Sequence, residues 1–170
     1  AMATRLLCAF LPDISDMETL VQKAHTGKFS APDLTPTVEV GPFSVLELFH
    51  GPTSAFKDVA LPMLPQLLTQ AKKQKDQQED ILILTATSGD TGKAALEGFH
   101  DVAGTRIIVF YPHGGVSPVQ QAQMTTQVGD NVCVCAVRGN FDDAQTGVKE
   151  IFAACAGRDL GGARLSSANS

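Results

Sequence analysis

From Ile81 onward, apolar and polar positions fall into alternating blocks of strand length and helix length. The stretches "ILILTAT" (81–87), "RIIVFYP" (106–112) and "NVCVCAV" (131–137) are short, almost unbroken apolar runs, the pattern of strands covered on both faces. Between and after them lie "GDTGKAALEGFH", "SPVQQAQMTTQV" and "FDDAQTGVKEIFAACA", each with helical spacing. Ser117 stands at an N-cap with Pro118 at the first helical position, and Asn140 or Asp142 opens the third helix. Val148, Ile151, Phe152 and Cys155 are expected on one face of it. Strands separated by helices call for a parallel sheet with right-handed crossovers, so the expected fold class is α/β, a three-layer Rossmann-like parallel sheet over about 81–160. Ligands of such a sheet sit at the carboxyl ends of its strands.

The first half is less regular. "SDMETLVQKAH" reads as a helix in which Ser15 and Glu18 form a capping box, and residues 1–45 read as an N-terminal helical arm, with 46–170 as the remainder. "TGKFSAPDLTPTVEVGP" carries three of the nine prolines and is expected to be irregular, with "SVLELF" a short strand after it. In "HGPTSAFKDVALPMLPQLLTQAKKQ", Ala60, Leu64, Leu67, Leu68 and Ala71 have helical spacing, but Pro62 and Pro65 require a kink or a restart. The run "KKQKDQQED" reads as a solvated helix end and hinge. The tail "GRDLGGARLSSANS" reads as a loop with no closing element, which predicts truncation, and Ala1 is expected to precede the natural start.

Composition narrows the partners. At 170 residues with 44% hydrophobic and 18% charged, the chain reads as soluble and globular, and no apolar run approaches the ~20 residues that cross a bilayer. "RLLCAFLP" is too short for a signal peptide. A net charge of -5 without a Lys/Arg stripe argues against nucleic acid. The four cysteines form neither CxxC nor a zinc spacing, so free thiols in a reducing cytoplasm and core packing are expected, with Cys133 and Cys135 on one strand face. His25, His50, His100 and His113 show no metal spacing, and no metal site is expected. Nothing in the sequence sets an oligomeric state.

Two stretches carry candidate chemistry. "TATSGDTGKAA" (85–95) leaves a strand, turns on two glycines and enters a helix, a geometry that presents backbone N–H groups of residues 88 to 92 to an anion. The hydroxyls of Thr87, Ser88 and Thr91 add donors. It is not a P-loop, because Thr87 replaces the first glycine and Ala94 the magnesium-binding hydroxyl, and its G-x-x-G spacing is not a dinucleotide fingerprint. Strand-to-helix turns favour Gly, Ser, Thr and Asp in any case. Asp90 is both a good N-cap and a charge that repels anions unless hydrogen-bonded away. In "HGPTSAFKDVA" (50–60), a Gly51-Pro52-Thr53 turn delivers Lys57 between Phe56 and Asp58, and Thr53 or Ser54 is a candidate cap for the following helix. A lysine walled by apolar groups is a nucleophile for Schiff-base chemistry, and Phe56 can form part of that wall.

"HGPTSAFKDVA", "TSGDTGKAA", "VSPVQQAQMTT" and "GNFDDAQ", in that order, resemble threonine synthase, a pyridoxal-phosphate enzyme of fold type II, and within it the branch of many bacteria and fungi. The resemblance runs from about Leu46 to Ser170. It implies that Lys57 joins pyridoxal 5'-phosphate as a Schiff base, with Phe56 and Asp90 beside the cofactor. It also implies that Thr87, Ser88, Gly89, Asp90 and Thr91 grip the substrate's α-carboxylate from a small domain. The implied reaction turns O-phosphohomoserine and water into threonine and phosphate, with the released lysine moving protons.

The resemblance implies that the family's glycine-rich cradle for the cofactor phosphate lies beyond the position of Ser170, and most of the usual N-terminal domain is expected to be missing from this piece. The piece by itself is therefore expected to hold the cofactor weakly and not to turn over. The resemblance also implies asparagine, in related type II enzymes, at the place this chain gives to Asp90. Two rivals remain at this level: a type II lyase or dehydratase acting on serine or threonine, and a non-catalytic domain that keeps the fold as a binding module. His50 lies near enough in sequence to Lys57 to line the same site.

Overall fold

A computed structural model describes residues 2–168; Ala1, Asn169 and Ser170, and so the second half of the "SANS" segment, lie outside the described residues. The N-terminal part holds two helices, α1 (Met2–Phe10) and α2 (Met17–His25). The expected capping box is not formed. Asp16 is the N-cap residue, in a left-handed conformation with no side-chain cap, while Ser15 Oγ accepts from Gln70 Nε2 at 2.7 Å. Its hydroxyl thus ties α2 to a later helix instead of closing its own first turn.

The proline-rich stretch is not wholly irregular. Strands β1 (Thr37–Val40) and β2 (Phe43–Leu46) pair antiparallel, with Thr37 opposite Leu46 and Val40 opposite Phe43. The prolines flank the strands rather than interrupt them, so no ladder donor is lost. After the hairpin, a 3-10 turn spans Phe56–Val59 and α3 runs from Met63 to Gln74. The helix therefore restarts rather than kinks: Pro62 is its N-cap residue and Pro65 lies in its first turn, where the missing N–H costs nothing. Neither Thr53 nor Ser54 serves as a helix cap, because Ala55 occupies the N-cap position of the 3-10 turn.

The remaining elements are β3 (Asp80–Ala86), α4 (Asp90–Phe99), β4 (Thr105–Pro112), α5 (Pro118–Thr125), β5 (Val132–Val137), α6 (Phe141–Cys155) and β6 (Ala163–Ser167). The four strands form one parallel sheet in the order β5-β4-β3-β6. The tail expected to be a loop is thus a fourth strand, registered with Asp80 opposite Ala163 and Leu84 opposite Ser167. Ser117 and Asn140 cap α5 and α6, accepting from the backbone amides of Gln120 and Asp143.

The order explains the layers. Moving from β3 to β4 to β5 in one direction, the chain leaves α4 and α5 on one face, over Ile83, Ile107, Val109 and Tyr111, as the right-handed rule for such crossovers requires. The return from β5 to β6 reverses direction, and α6 covers the other face through Ala144, Val148 and Phe152 against Leu84, Ala86, Ile108 and Phe110. Ile151 lies off that face and is exposed. A smaller core joins Met17, Leu20 and Ala24 of α2 to Met63 and Leu67 of α3, while Leu64 and Leu68 pack against the sheet core. The chain turns back beside β3, so the crevice at the carboxyl end of β3 is the topological switch point.

Candidate functional site

The loop leaving β3 at that switch point is Thr87 to Asp90, leading into α4. Thr87 is fully buried, and its hydroxyl oxygen accepts the amides of Gly89 and Gly92, each at 2.9 Å. Those two bonds fill its lone pairs, so Thr87 shapes the loop from beneath. They also remove the Gly89 and Gly92 amides from the set offered to a ligand, which leaves Ser88, Asp90 and Thr91 as the amides of the helix's open first turn. Ser88 and Asp90 are exposed and Thr91 half-buried.

Gly89 lies at φ 143, a backbone conformation that side-chain-bearing residues rarely adopt, and the Gln120 side chain of α5 occupies the space a Cβ would fill. Gln120 Nε2 donates to Asp90 Oδ1 at 2.8 Å. Gln120 is itself held, its Oε1 accepting from the Ser117 amide at 3.1 Å. The carboxylate expected to repel an anion is therefore engaged by an amide group from the next helix. Lys93, one residue past Gly92, is drawn to Gln127 and to Glu97 at 3.7 Å rather than to the loop.

Lys57 stands on the 3-10 turn, half-buried, with its Nζ 4.2 Å from the Phe56 ring centroid. Its neighbour Asp58 does not pair with it. Asp58 is 1% exposed and its carboxylate accepts from Thr53 Oγ1 at 2.6 Å, from the Thr53 amide at 2.8 Å and from the Ala55 amide at 3.4 Å. Three donors, two from Thr53 and one from Ala55, converge on one buried acid, and this fixes where Lys57 emerges. His25 braces the same turn from below, its Nε2 donating to the Val59 carbonyl at 2.8 Å.

The two motifs share a scaffold. The 3-10 turn packs against α4, the helix opened by the loop. At Gly98 the α4 backbone approaches the Leu61 carbonyl so closely that a Cβ would lie 2.9 Å from its oxygen. On α5, Gln123 Nε2 donates to the Thr53 carbonyl at 3.4 Å, one turn beyond Gln120. One face of α5 thus touches both the lysine turn and the anion loop. Sequence reasoning did not give Asp58, Gln120 or Gln123 a role. The spacing of the two glutamines by three was the available signal, and it has no meaning until the helix is placed.

His50 is turned elsewhere, bonded to Glu47 Oε2 at 2.7 Å and Ser30 Oγ at 3.0 Å. The thiols are free, but not core: Cys8 and Cys133 are exposed, and Cys135 and Cys155 half-buried. Among the described residues, no helix is long and apolar enough to cross a membrane.

No family model matches the chain. It is 42% identical over 144 residues to threonine synthase of Schizosaccharomyces pombe, a match covering 81% of this chain and 28% of that protein. It is 44% identical over 140 residues to threonine synthase of Pseudomonas aeruginosa, covering 82% and 29%. Among solved structures, the pyridoxal-phosphate-bound threonine synthase of Brucella melitensis superposes with a TM-score of 0.85 at 40% identity, over 99% of this chain and 36% of that one. The yeast threonine synthase superposes at 0.83 and 32%, over 99% and 35%. The chain therefore spans about a third of the length of the relatives it matches. Over four-fifths of its own length it is homologous to threonine synthase.

Proposed function

We propose that this chain, as a homologue of part of threonine synthase, carries the reactive lysine and the carboxylate-gripping loop of a pyridoxal-phosphate-dependent enzyme that converts O-phosphohomoserine and water to threonine and phosphate. The observation that carries the reading is the juxtaposition of the two motifs. The turn bearing Lys57 packs on α4, the helix whose first turn offers the open amides, and Gln120 and Gln123 of α5 reach Asp90 of the loop and the Thr53 carbonyl of the lysine turn.

The residues present fit the cofactor. Lys57 offers a primary amine with no carboxylate within ion-pair distance among the described residues, and the exposed Phe56 ring supplies an apolar surface beside it. Pyridoxal phosphate, when bound, supplies the electron sink that makes substrate Cα–H bonds acidic. Lys57 would be the residue that holds it and, once exchanged for the substrate amine, the base that moves protons at Cα and Cβ. Ser88, Asp90 and Thr91 would hold the substrate carboxylate with backbone N–H groups, aided by the positive end of α4. Gly89 lets Gln120 close against the loop, and Gln120 keeps the Asp90 charge occupied. Asp58 and Thr87 position the two motifs without touching the substrate. Free thiols accord with a cytoplasmic setting.

The test uses the full-length protein. Phosphate release from O-phosphohomoserine, with threonine as product, is expected and is abolished in Lys57→Ala. Ammonia release from serine or threonine, with no phosphate release, would assign the chain to a lyase or dehydratase instead. Borohydride reduction in the presence of pyridoxal phosphate is expected to label Lys57 alone; label spread over several lysines would favour a non-catalytic module.

A further inference from the structure

Outside the Lys57 site and the loop after β3, two thiols stand together among the described residues. Cys133 and Cys135 project from the same face of β5, the edge strand of the sheet, with their sulfurs 4.0 Å apart. Cys133 is exposed and Cys135 half-buried, on the face of β5 from which Val137 packs against the core beneath α6. Neither thiol takes part in the chemistry assigned to Lys57 or to the anion loop.

We propose that Cys133 and Cys135 form a two-thiolate site for a soft, thiophilic divalent cation of the zinc and cadmium class.

The geometry separates this from a disulfide. Residues two apart on a strand are about 6.6 Å apart along its axis. A disulfide requires Cβ atoms about 3.5–4.5 Å apart, so the pair cannot close on itself without breaking the pleat and the pairing of Cys133 with Ile108 and Cys135 with Phe110. A bridging ion removes that demand. Two zinc–thiolate bonds of about 2.3 Å at the tetrahedral angle span about 3.8 Å, close to the 4.0 Å between the two sulfurs. The side chains therefore need a shift of only about 0.2 Å between the sulfurs to clasp such an ion.

A divalent cation between the two thiolates offsets their mutual repulsion. Binding breaks two S–H bonds, forms two metal–sulfur bonds and releases two protons to solvent, with no change of oxidation state. Among the described residues no third His, Cys, Asp or Glu is grouped with the pair, so water completes the coordination on the open side of the edge strand.

The site is independent of the threonine synthase reading, and its test needs no turnover. The full-length protein is titrated with cadmium chloride under reducing conditions, following the sulfur-to-cadmium charge-transfer absorbance. About one ion per chain is expected, with proton release, and the signal is lost in Cys133→Ser and in Cys135→Ser but kept in the Cys8→Ser, Cys155→Ser double variant. Unchanged circular dichroism shows that each variant is folded, and Cys135→Ala replaces any that is not. Persistence of the full signal in Cys133→Ser would overturn the proposal. So would one ion per two chains, or a Cys133–Cys135 disulfide formed readily under mild oxidant.

Discussion

Thr87 lies beneath the loop at the end of β3, and its hydroxyl oxygen receives the amide of Gly92 at 2.9 Å, five residues further along the chain. With the Gly89 amide on the same atom, this single hydroxyl sets the curvature of the turn. Thr85, two residues earlier, is equally buried, yet its hydroxyl has no hydrogen-bond partner among the described residues. Two threonines on one strand end thus have opposite energetic meaning.

Thr87→Val is expected to destabilise the full-length protein by about 2–3 kcal/mol, since two amides lose their acceptor where water does not reach. Thr87→Ser keeps the oxygen and should cost about 1 kcal/mol or less. Thr85→Val removes an unpartnered hydroxyl and should be neutral or stabilising by up to about 1 kcal/mol. Denaturant midpoints of the three variants decide, and equal losses at both positions would contradict the account.

Asp58→Ala leaves the Thr53 hydroxyl and the Thr53 and Ala55 amides without their shared acceptor, at an expected cost of about 2 kcal/mol or more. Because that carboxylate fixes the turn carrying Lys57, cofactor occupancy should fall with it. Thermal melting gives the first number and visible absorbance of the protein with pyridoxal phosphate gives the second. Full occupancy in a folded Asp58→Ala protein would show that the turn holds its shape unaided.

Gln120→Ala frees the Asp90 carboxylate at the mouth of the open amides and empties the space against Gly89. Substrate KM is expected to rise roughly tenfold, equivalent to about 1.4 kcal/mol, with kcat changed less. Gln123→Ala, whose bond to the Thr53 carbonyl is 3.4 Å long, should have the smaller effect. Steady-state kinetics on the two variants, with cofactor affinity as a second readout, separates the loop from the lysine turn.

The Cys135 thiol is raised in the folded protein by burial first and by Cys133 second. A raised thiol favours the protonated form in the folded state, so its contribution to stability is fully present below the ordinary thiol value. That contribution is lost as pH rises through the raised one. Stability should therefore decline on the alkaline side, and the decline should flatten in Cys135→Ser. At neutral pH, alkylation mapped by mass spectrometry is expected at Cys133 before Cys135.

Much of the architecture is encoded between near neighbours in the chain. The apolar runs that became β3, β4 and β5, the Ser117 and Asn140 caps and the glycines of the anion loop arise from side-chain period, cap chemistry and backbone freedom, each acting within one or two turns. The paired motifs around Lys57 and Asp90 are legible for the same reason. Other features depend on groups far apart in sequence. Ala163–Ser167 has a weak strand pattern and becomes β6 because the open edge of β3 offers it a row of unpaired amides and carbonyls. Ser15 could have capped α2 but bonds Gln70, and Thr87 could have faced a ligand but bonds Gly89 and Gly92. A hydroxyl or a carboxamide has several partners of nearly equal strength, so packing, not local sequence, decides which one it takes. That choice put Gln120 and Gln123 across the two motifs and left Cys133 beside Cys135 at an uncovered edge.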